Sequence, residues 1–173
     1  MPGCEATLHH PMVVVHRSAR LRAVAQALDD VSKRIIEQLQ EDGRRPYATI
    51  GKAVGLSEAA VRQRVQRLLD SGVMQIVAVT DPMQVGFSRQ AMIGIRVEGD
   101  ISTVADRLVE MVEVEYVVIT AGSFDLLIEV VCEDDDHLLD LLSRRIRALP
   151  GVRTTETFVY LKLRKQFYNW GTR

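Results

Sequence analysis

The stretch from Tyr47 to Gly72 carries residues whose types and spacing suit contact with double-stranded DNA. An arginine can form two hydrogen bonds to guanine, a glutamine can pair with adenine, and small side chains let a helix approach the base edges. Cations that precede such a helix neutralise phosphates. The residues that we predict to contact DNA are Arg44, Arg45, Lys52, Ser57, Ala59, Ala60, Arg62, Gln63, Arg64, Gln66 and Arg67.

At helical spacing, the apolar residues that follow Ser57 fall on one side of a helix, and the amides and cations fall on the other. We predict that Gln63 and Arg67 lie at the centre of the polar side and that Arg62 and Arg64 flank it. An ordinary amphipathic helix with a solvated polar face is the alternative explanation. Three helices at the spacing of a helix-turn-helix favour DNA binding.

A second group of polar residues lies between two predicted strands. It consists of Gly122, Ser123, Phe124 and Asp125. These residue types fit a hairpin loop in which the glycine supplies an unusual φ and the aspartate caps its own backbone.

The remaining candidates for chemistry are weak. Cys4 and Cys132 are too few for a disulfide framework or a zinc site, and the acidic run that precedes His137 is explained by the start of a helix. No Ser-His-Asp set, paired-carboxylate pattern or phosphate-binding glycine loop is present. We therefore expect no metal, no cofactor and no enzyme activity.

Charge is distributed unevenly along the 173 residues, although the net charge is only −1. Residues 17–75 hold 11 Lys/Arg and seven Asp/Glu, whereas residues 76–173 hold 11 and 15. This distribution fits a protein that presents its N-terminal half to phosphates. The sequence has no apolar stretch approaching the ~20 residues of a membrane span. We therefore expect a cytoplasmic protein that has no contact with membranes.

Periodicity and end signals predict the elements that position these residues. The predicted helices run from Asp29 to Gly43, from Ile50 to Gly55 and from Ser57 to Ser71. After Gly72 the apolar period changes to two, which predicts a strand over Ile76–Thr80 that ends at Asp81 and Pro82.

From Gln90 onward the pattern is typical of a β-α-β-β-α-β ferredoxin-like unit. The predicted elements are strand Ala91–Val97, helix Ile101–Met111, strand Val114–Thr120, strand Leu126–Cys132, helix Asp136–Leu149 and strand Val152–Leu163, with an added edge strand at Phe167–Trp170. The second and third strands are apolar on both faces and should be buried on both. We expect a second copy of the sheet to cover the face that the helices leave open, which makes the protein a homodimer.

The predicted domains are an N-terminal extension (1–27), a helix-turn-helix domain (28–75), a strand and linker (76–89) and a ferredoxin-like domain (90–173). The extension is treated as an arm, in which Met12–His16 could form a strand. The fold class is therefore α+β, with a winged helix-turn-helix followed by a dimerising antiparallel sheet.

From Leu28 to Trp170 the chain resembles the Lrp/AsnC transcription regulators. The residues that carry the resemblance are Leu28-Asp29-Asp30, Val54-Gly55-Leu56-Ser57, Val61, Arg64-Val65, Leu68, Gly72-Val73 and Gly122-Ser123-Phe124-Asp125. The resemblance implies that Gly122–Asp125 helps to bind a small metabolite, commonly an amino acid, between subunits. It also implies tetramers or octamers built from dimers.

Two other functions remain to be distinguished. Certain sirohaem decarboxylases resemble this family in both domains, but their reaction needs histidines and cations around a tetrapyrrole, and the C-terminal half has only His137. An architectural protein that compacts DNA would differ from a regulator only in lacking sequence preference.

Overall fold

The computed structural model describes residues 28–166 and 171–172. The chain divides after Gln75 into two compact units, and residues 171–172 belong to the first. The predicted arm at 1–27, the strand at Met12–His16 and the edge strand at Phe167–Trp170 lie outside the described residues.

The first unit contains the three predicted helices, which are α1 (Asp30–Glu41), α2 (Tyr47–Val54) and α3 (Glu58–Asp70). Their apolar stripes meet in a common core of buried residues, formed by Ile35, Leu39, Ile50, Val54, Val61 and Val65. The Asp29 side chain caps α1 by accepting a hydrogen bond from the Ser32 amide at 2.7 Å. Burial of one stripe per helix leaves the polar sides in solvent.

The turn between α2 and α3 is tight because of two glycines, Gly55 in the turn and Gly51 in the preceding helix. Gly55 ends α2 with a φ of 75°, a conformation that costs glycine little. The Leu56 amide donates to the Gly51 carbonyl at 2.9 Å. A Cβ atom at Gly51 would lie 2.5 Å from the Leu56 carbonyl oxygen. This close approach fixes where α3 begins.

The strand predicted at Ile76–Thr80, and with it the wing, is wrong. Residues 74–81 form neither helix nor strand, and the side chains of Ile76, Val77 and Val79 are 45%, 67% and 62% exposed. Alternating apolar residues favour an extended chain, but a strand also needs a partner for its backbone groups. No described strand pairs with this segment.

The second unit is the predicted ferredoxin-like sheet. Its elements are β1 (Arg89–Val97), α4 (Ile101–Val109), β2 (Val114–Ile119), β3 (Leu126–Cys132), α5 (Asp135–Asp140) and β4 (Val152–Val159). The strand order is β2-β3-β1-β4, and all three pairings are antiparallel. The strand predicted to reach Leu163 stops at Val159, because its partner β1 starts at Arg89 and the last link joins Tyr160 to Gln90.

The second helix of this unit does not continue as an α-helix to Leu149. It changes to a π-helix over Leu141–Ile146. Arg145 in this segment donates to the Glu113 carboxylate, and His137 lies 3.3 Å from the same oxygen. Burial would raise the pKa of Glu113, but hydrogen bonds from Arg145, the backbone and His137 outweigh it and lower the pKa. The structure therefore places His137 and Arg145 around one half-buried carboxylate.

One face of the sheet packs against the helices, and the other is open. Ala91, Ile93 and Ile95 of β1 are buried in the core with residues of both helices. Since strand side chains alternate, Met92 and Gly94 lie on the opposite side. We call that side the open face; it also carries Val118, Leu127 and Phe158.

The described residues lack two kinds of feature. None of their helices has the length and apolar character needed to cross a membrane. Nor does any group of three or more His, Cys, Asp or Glu side chains there form a cluster that could hold a metal ion.

Candidate functional site

Helix α3 presents a polar, cationic surface opposite its buried stripe. Ser57 caps the helix by accepting a hydrogen bond from the Ala60 amide at 3.3 Å. Val61, Val65 and Leu68 are buried. The predicted DNA-contacting residues of the outward side are exposed or, at Ala60, half-buried; they are Ala59, Ala60, Arg62, Gln63, Gln66 and Arg67. The local sequence therefore brings these six predicted residues to one side of the helix.

The three arginines of α3 differ in what holds them. Arg62 is ion-paired with Glu58 at 2.8 Å. Arg64 is half-buried and turns toward α1, where its guanidinium donates to Asp29 at 2.6 Å and to the Ser32 hydroxyl at 3.1 Å. Arg67 has no side-chain hydrogen bond or ion pair within the part of the chain that the structure describes. The structure thus brings Arg62 and Arg67 to the outward side and ties Arg64 into the helix packing.

The Asp29 carboxylate is electrostatically stabilised by this packing. Its pKa falls from 3.8 to about 2, chiefly through the Arg64 hydrogen bond and then through the Ser32 amide and hydroxyl. Asp29 therefore caps α1 and joins it to α3.

The predicted phosphate contacts lie around the first two helices. Arg44 and Lys52 are exposed. Arg45 is half-buried and donates to Gln38 at 2.6 Å and to Glu41 at 3.0 Å, both on α1. Of the two glutamines on α3, Gln66 donates to Asp70 at 2.8 Å. The positions of Arg44 and Lys52 suit phosphate contact most directly, because neither side chain is held elsewhere in the described residues.

The loop Gly122–Asp125 connects β2 to β3, as expected, but its residues have different roles from those predicted. Gly122 has no positive φ, so an unusual glycine conformation does not explain it. Asp125 does not cap its own backbone. Instead its carboxylate accepts a hydrogen bond from the Val97 amide at 2.8 Å, while its own amide donates to the Ile95 carbonyl at 2.9 Å. Asp125 therefore attaches the loop to the end of β1.

Arg96, which the sequence analysis did not single out, completes this loop. Its Nε atom donates to the Ser123 carbonyl at 2.9 Å, and its guanidinium carbon lies 5.6 Å from the centroid of the Phe124 ring. Among the described residues, the amides of Ala121, Gly122 and Ser123 have no hydrogen-bond partner. The loop therefore holds free amides, a hydroxyl and a carboxylate, and Arg96 brings a cation to it from β1.

Phe124 connects the loop to the open face of the sheet. A Cβ atom at Gly94 would lie 2.6 Å from its ring, so the ring packs directly on the β1 backbone. The ring also meets Phe158 edge-to-face, with centroids 6.4 Å apart. A glycine inside a strand often marks such a close approach, and this signal could have identified Gly94 and its neighbour Arg96 from sequence.

A capped helix with exposed arginines and amides, carried on a three-helix unit that a ferredoxin-like sheet follows in the sequence, defines a DNA-binding protein of the helix-turn-helix class. Two family models match the chain. Residues 28–69 match the AsnC-type helix-turn-helix domain, and residues 87–173 match a C-terminal dimeric alpha+beta barrel domain.

Known proteins agree with these matches. The HTH-type transcriptional regulator FL11 of Pyrococcus furiosus is 36% identical over 141 residues, which cover 80% of this chain and 93% of that one. The leucine response regulatory protein of Mycobacterium tuberculosis superposes with a TM-score of 0.71 at 32% identity, over 82% of this chain and all of the other. This chain belongs to the Lrp/AsnC family of transcriptional regulators.

A third comparison concerns the fold alone. The regulator NMB0573 of Neisseria meningitidis, solved as a complex with L-Met, superposes with a TM-score of 0.72 at 24% identity. The alignment covers 81% of this chain and 94% of that one.

Proposed function

We propose that this transcriptional regulator is a homodimer that binds specific DNA sequences and whose DNA binding or assembly responds to an amino acid. The observation that carries the proposal is the outward side of α3. It combines two exposed arginines with exposed glutamines and small residues near the start of the helix. These groups match the hydrogen-bonding pattern of the major groove.

In this proposal the residues of the first unit have separate roles. Ala59 and Ala60 let α3 approach the groove, Gln63 pairs with adenine, and Arg62 and Arg67 bond to guanine. Arg44 and Lys52 bind phosphates, which fix the position of the protein without selecting a sequence. A homodimer presents two such helices to half-sites about one DNA turn apart.

The loop Gly122–Asp125, together with Arg96, has the groups that an amino acid requires. Arg96 and the free loop amides suit an α-carboxylate, and the second oxygen of Asp125 suits an α-ammonium group. The complex of NMB0573 with L-Met shows that a protein of this fold binds an amino acid. The family resemblance further implies assembly of dimers into larger oligomers, which such a ligand could alter.

Sequence-specific recognition is tested by substituting the outward arginines. We expect Arg62→Ala and Arg67→Ala each to weaken binding to a selected operator by about 1–3 kcal/mol more than binding to random DNA. Lys52→Ala is the matched control and should weaken both equally. Affinities would be measured by fluorescence anisotropy at several salt concentrations. Equal losses on both DNAs for the arginine variants would show that these residues contact only phosphates.

The effector site is tested with Asp125→Asn and Arg96→Gln. The asparagine keeps an oxygen for the Val97 amide but removes the charge, so the loop should stay in place. We expect both variants to lose the effect of the responsive amino acid on operator binding, while sedimentation still shows dimers. The twenty amino acids would first be screened singly on the wild-type protein. An unchanged response in both variants would place the ligand elsewhere.

A further inference from the structure

Two helices of the DNA-binding unit hold the guanidinium group of Arg62. On one side Nη2 donates to Oε1 of Glu58, the first residue of α3, at 2.8 Å. On another the guanidinium carbon lies 5.3 Å from the ring centroid of Tyr47, the first residue of α2. The ion pair and the contact with the ring restrict the Arg62 side chain from two sides.

This arrangement lies in solvent. The Arg62 and Glu58 side chains are 65% and 52% exposed. An exposed ion pair four residues apart contributes little to stability, so the contact has little value as a fold-stabilising feature. It does restrict a long side chain that would otherwise sample many rotamers. The effect is an arginine that is partly ordered before any DNA arrives.

Arg67 provides an internal comparison on the same outward side. It has neither an acidic partner nor an aromatic ring against it in the described residues, whereas Arg62 has both. Recognition of guanine needs two N–H groups that point together at O6 and N7 in the plane of the base. Glu58 occupies one of the five N–H donors of the guanidinium, which leaves four. An arginine that is restricted by two contacts meets this requirement at a lower entropic cost than a mobile one.

We propose that Tyr47 and Glu58 are positioning residues that orient Arg62 toward a guanine in the major groove. This inference rests on the proposed sequence-specific binding and identifies what gives Arg62 its selectivity. It also explains why a carboxylate occupies a surface that meets phosphates. The charge of Glu58 repels phosphates and lowers the affinity for any DNA. Because Glu58 also orients Arg62, it increases discrimination between sequences.

A simpler explanation of Glu58 is that it stabilises α3 through the helix dipole. The two explanations differ in their effect on DNA. The Glu58→Gln variant lacks the negative charge that both explanations require. Only the positioning role predicts that this variant binds random DNA more tightly and selects one guanine less strongly. A purely stabilising role would change the melting temperature and leave the selectivity unchanged.

The experiment begins with the full chain and a randomised DNA library. After the preferred operator is known, each guanine is replaced in turn by 7-deazaguanine, which lacks the N7 acceptor. The position at which wild-type protein, but not Arg62→Ala, loses about tenfold in affinity is the Arg62 contact. The same duplexes are then measured with Glu58→Gln, Tyr47→Leu and Tyr47→Phe, and circular dichroism checks that each variant is folded.

The quantity compared is the ratio of the affinity for the guanine duplex to the affinity for the 7-deazaguanine duplex. We expect Tyr47→Phe to keep the wild-type ratio, because phenylalanine retains the aromatic ring. Tyr47→Leu and Glu58→Gln should lower the ratio at least threefold at that guanine and at no other. Wild-type ratios in both variants would overturn the proposal while leaving Arg62 as a base contact. The absence of any guanine that depends on Arg62 would also overturn it. If the wild-type protein selects no sequence, the proposed function itself fails.

Discussion

At the scale of single residues, Arg64 differs from the other arginines of α3 in its partners. All three fall on or beside the polar side of the helix, but Arg64 reaches across to α1. There it meets Asp29 and Ser32. An arginine that is held in this way contributes to the geometry of the helix-turn-helix.

The charge of Asp29 should therefore stabilise the first unit in a pH-dependent manner. Asp29→Asn keeps the helix cap, since asparagine is a good N-cap residue, but removes the charge partner of Arg64. We expect a lower melting temperature at pH 7. The pKa of the carboxylate is about 2 in the folded protein, whereas its ordinary value is 3.8. The stabilisation by its charge is therefore present above pH 4 and is lost as the pH falls toward 2.

Melting temperatures of wild type and variant should accordingly converge between about pH 4 and pH 2. Asp30→Asn is the matched control, because that carboxylate is 97% exposed and lies 3.9 Å from Lys33. A difference between wild type and Asp29→Asn that stays constant over this pH range would argue against the Arg64 pair as its source.

The sequence predicted which residues of α3 face outward, because helical periodicity decides that locally. It could not predict the partner of Arg64, since Asp29 lies 35 positions earlier in the chain and only the packing of α1 on α3 joins them. The partner of Arg96 was missed for a similar reason. Arg96 lies on β1, whereas Ser123 lies 27 positions later, in the loop between β2 and β3.

At the scale of elements, the turn between α2 and α3 depends on Gly51. Helix propensity alone predicts that Gly51→Ala stabilises the protein by about 1 kcal/mol. The Cβ would, however, lie 2.5 Å from a backbone oxygen that cannot move without displacing α3. We expect a net destabilisation of about 1–3 kcal/mol, measured by urea unfolding.

The exposed Ala53→Gly, two residues further along α2, is the control and should cost only the propensity difference of about 1 kcal/mol. A Gly51→Ala variant as stable as the wild type would mean that the turn has room which the structure does not show.

Elements with local signals were predicted well, and those with distant causes were not. Caps mark the starts of α1 and α3, and a glycine follows the end of each of the three N-terminal helices. The start of α2 has no side-chain cap, and the helix begins at Tyr47 and not at the predicted Ile50. The segment Ile76–Thr80 has the alternation of a strand, but pairing depends on a partner that no local pattern reveals. The π-helix at Leu141–Ile146 was not predicted either; Arg145 within it contacts Glu113, 32 positions earlier in the chain.

At the scale of the whole molecule, the family domain that matches residues 87–173 is dimeric. The open face of the sheet should form the dimer, because the helices cover only the other face. Phe158 lies on that face and is 45% exposed in the single chain. We expect Phe158→Asp to give monomers by sedimentation velocity. Loss of the second half-site contact should then weaken operator binding about 100-fold.

Leu139→Asp introduces the same charge on α5, in the helix layer on the other side of the sheet. This control should leave both the dimer and the operator affinity unchanged. If Phe158→Asp also remains a dimer, another surface of the chain joins the subunits.

Cys132, at the end of β3, adds a chemical property to this core. It is fully buried, and burial together with the charges of Glu113 and Asp134 raises the pKa of its thiol to about 11. The thiolate is the reactive form of cysteine. Oxidants and alkylating agents should therefore leave Cys132 intact while the core of the second unit is folded. In a Cys4→Ser background, alkylation of the protein would therefore report each opening of the core, and the native domain would be insensitive to the redox state of its surroundings.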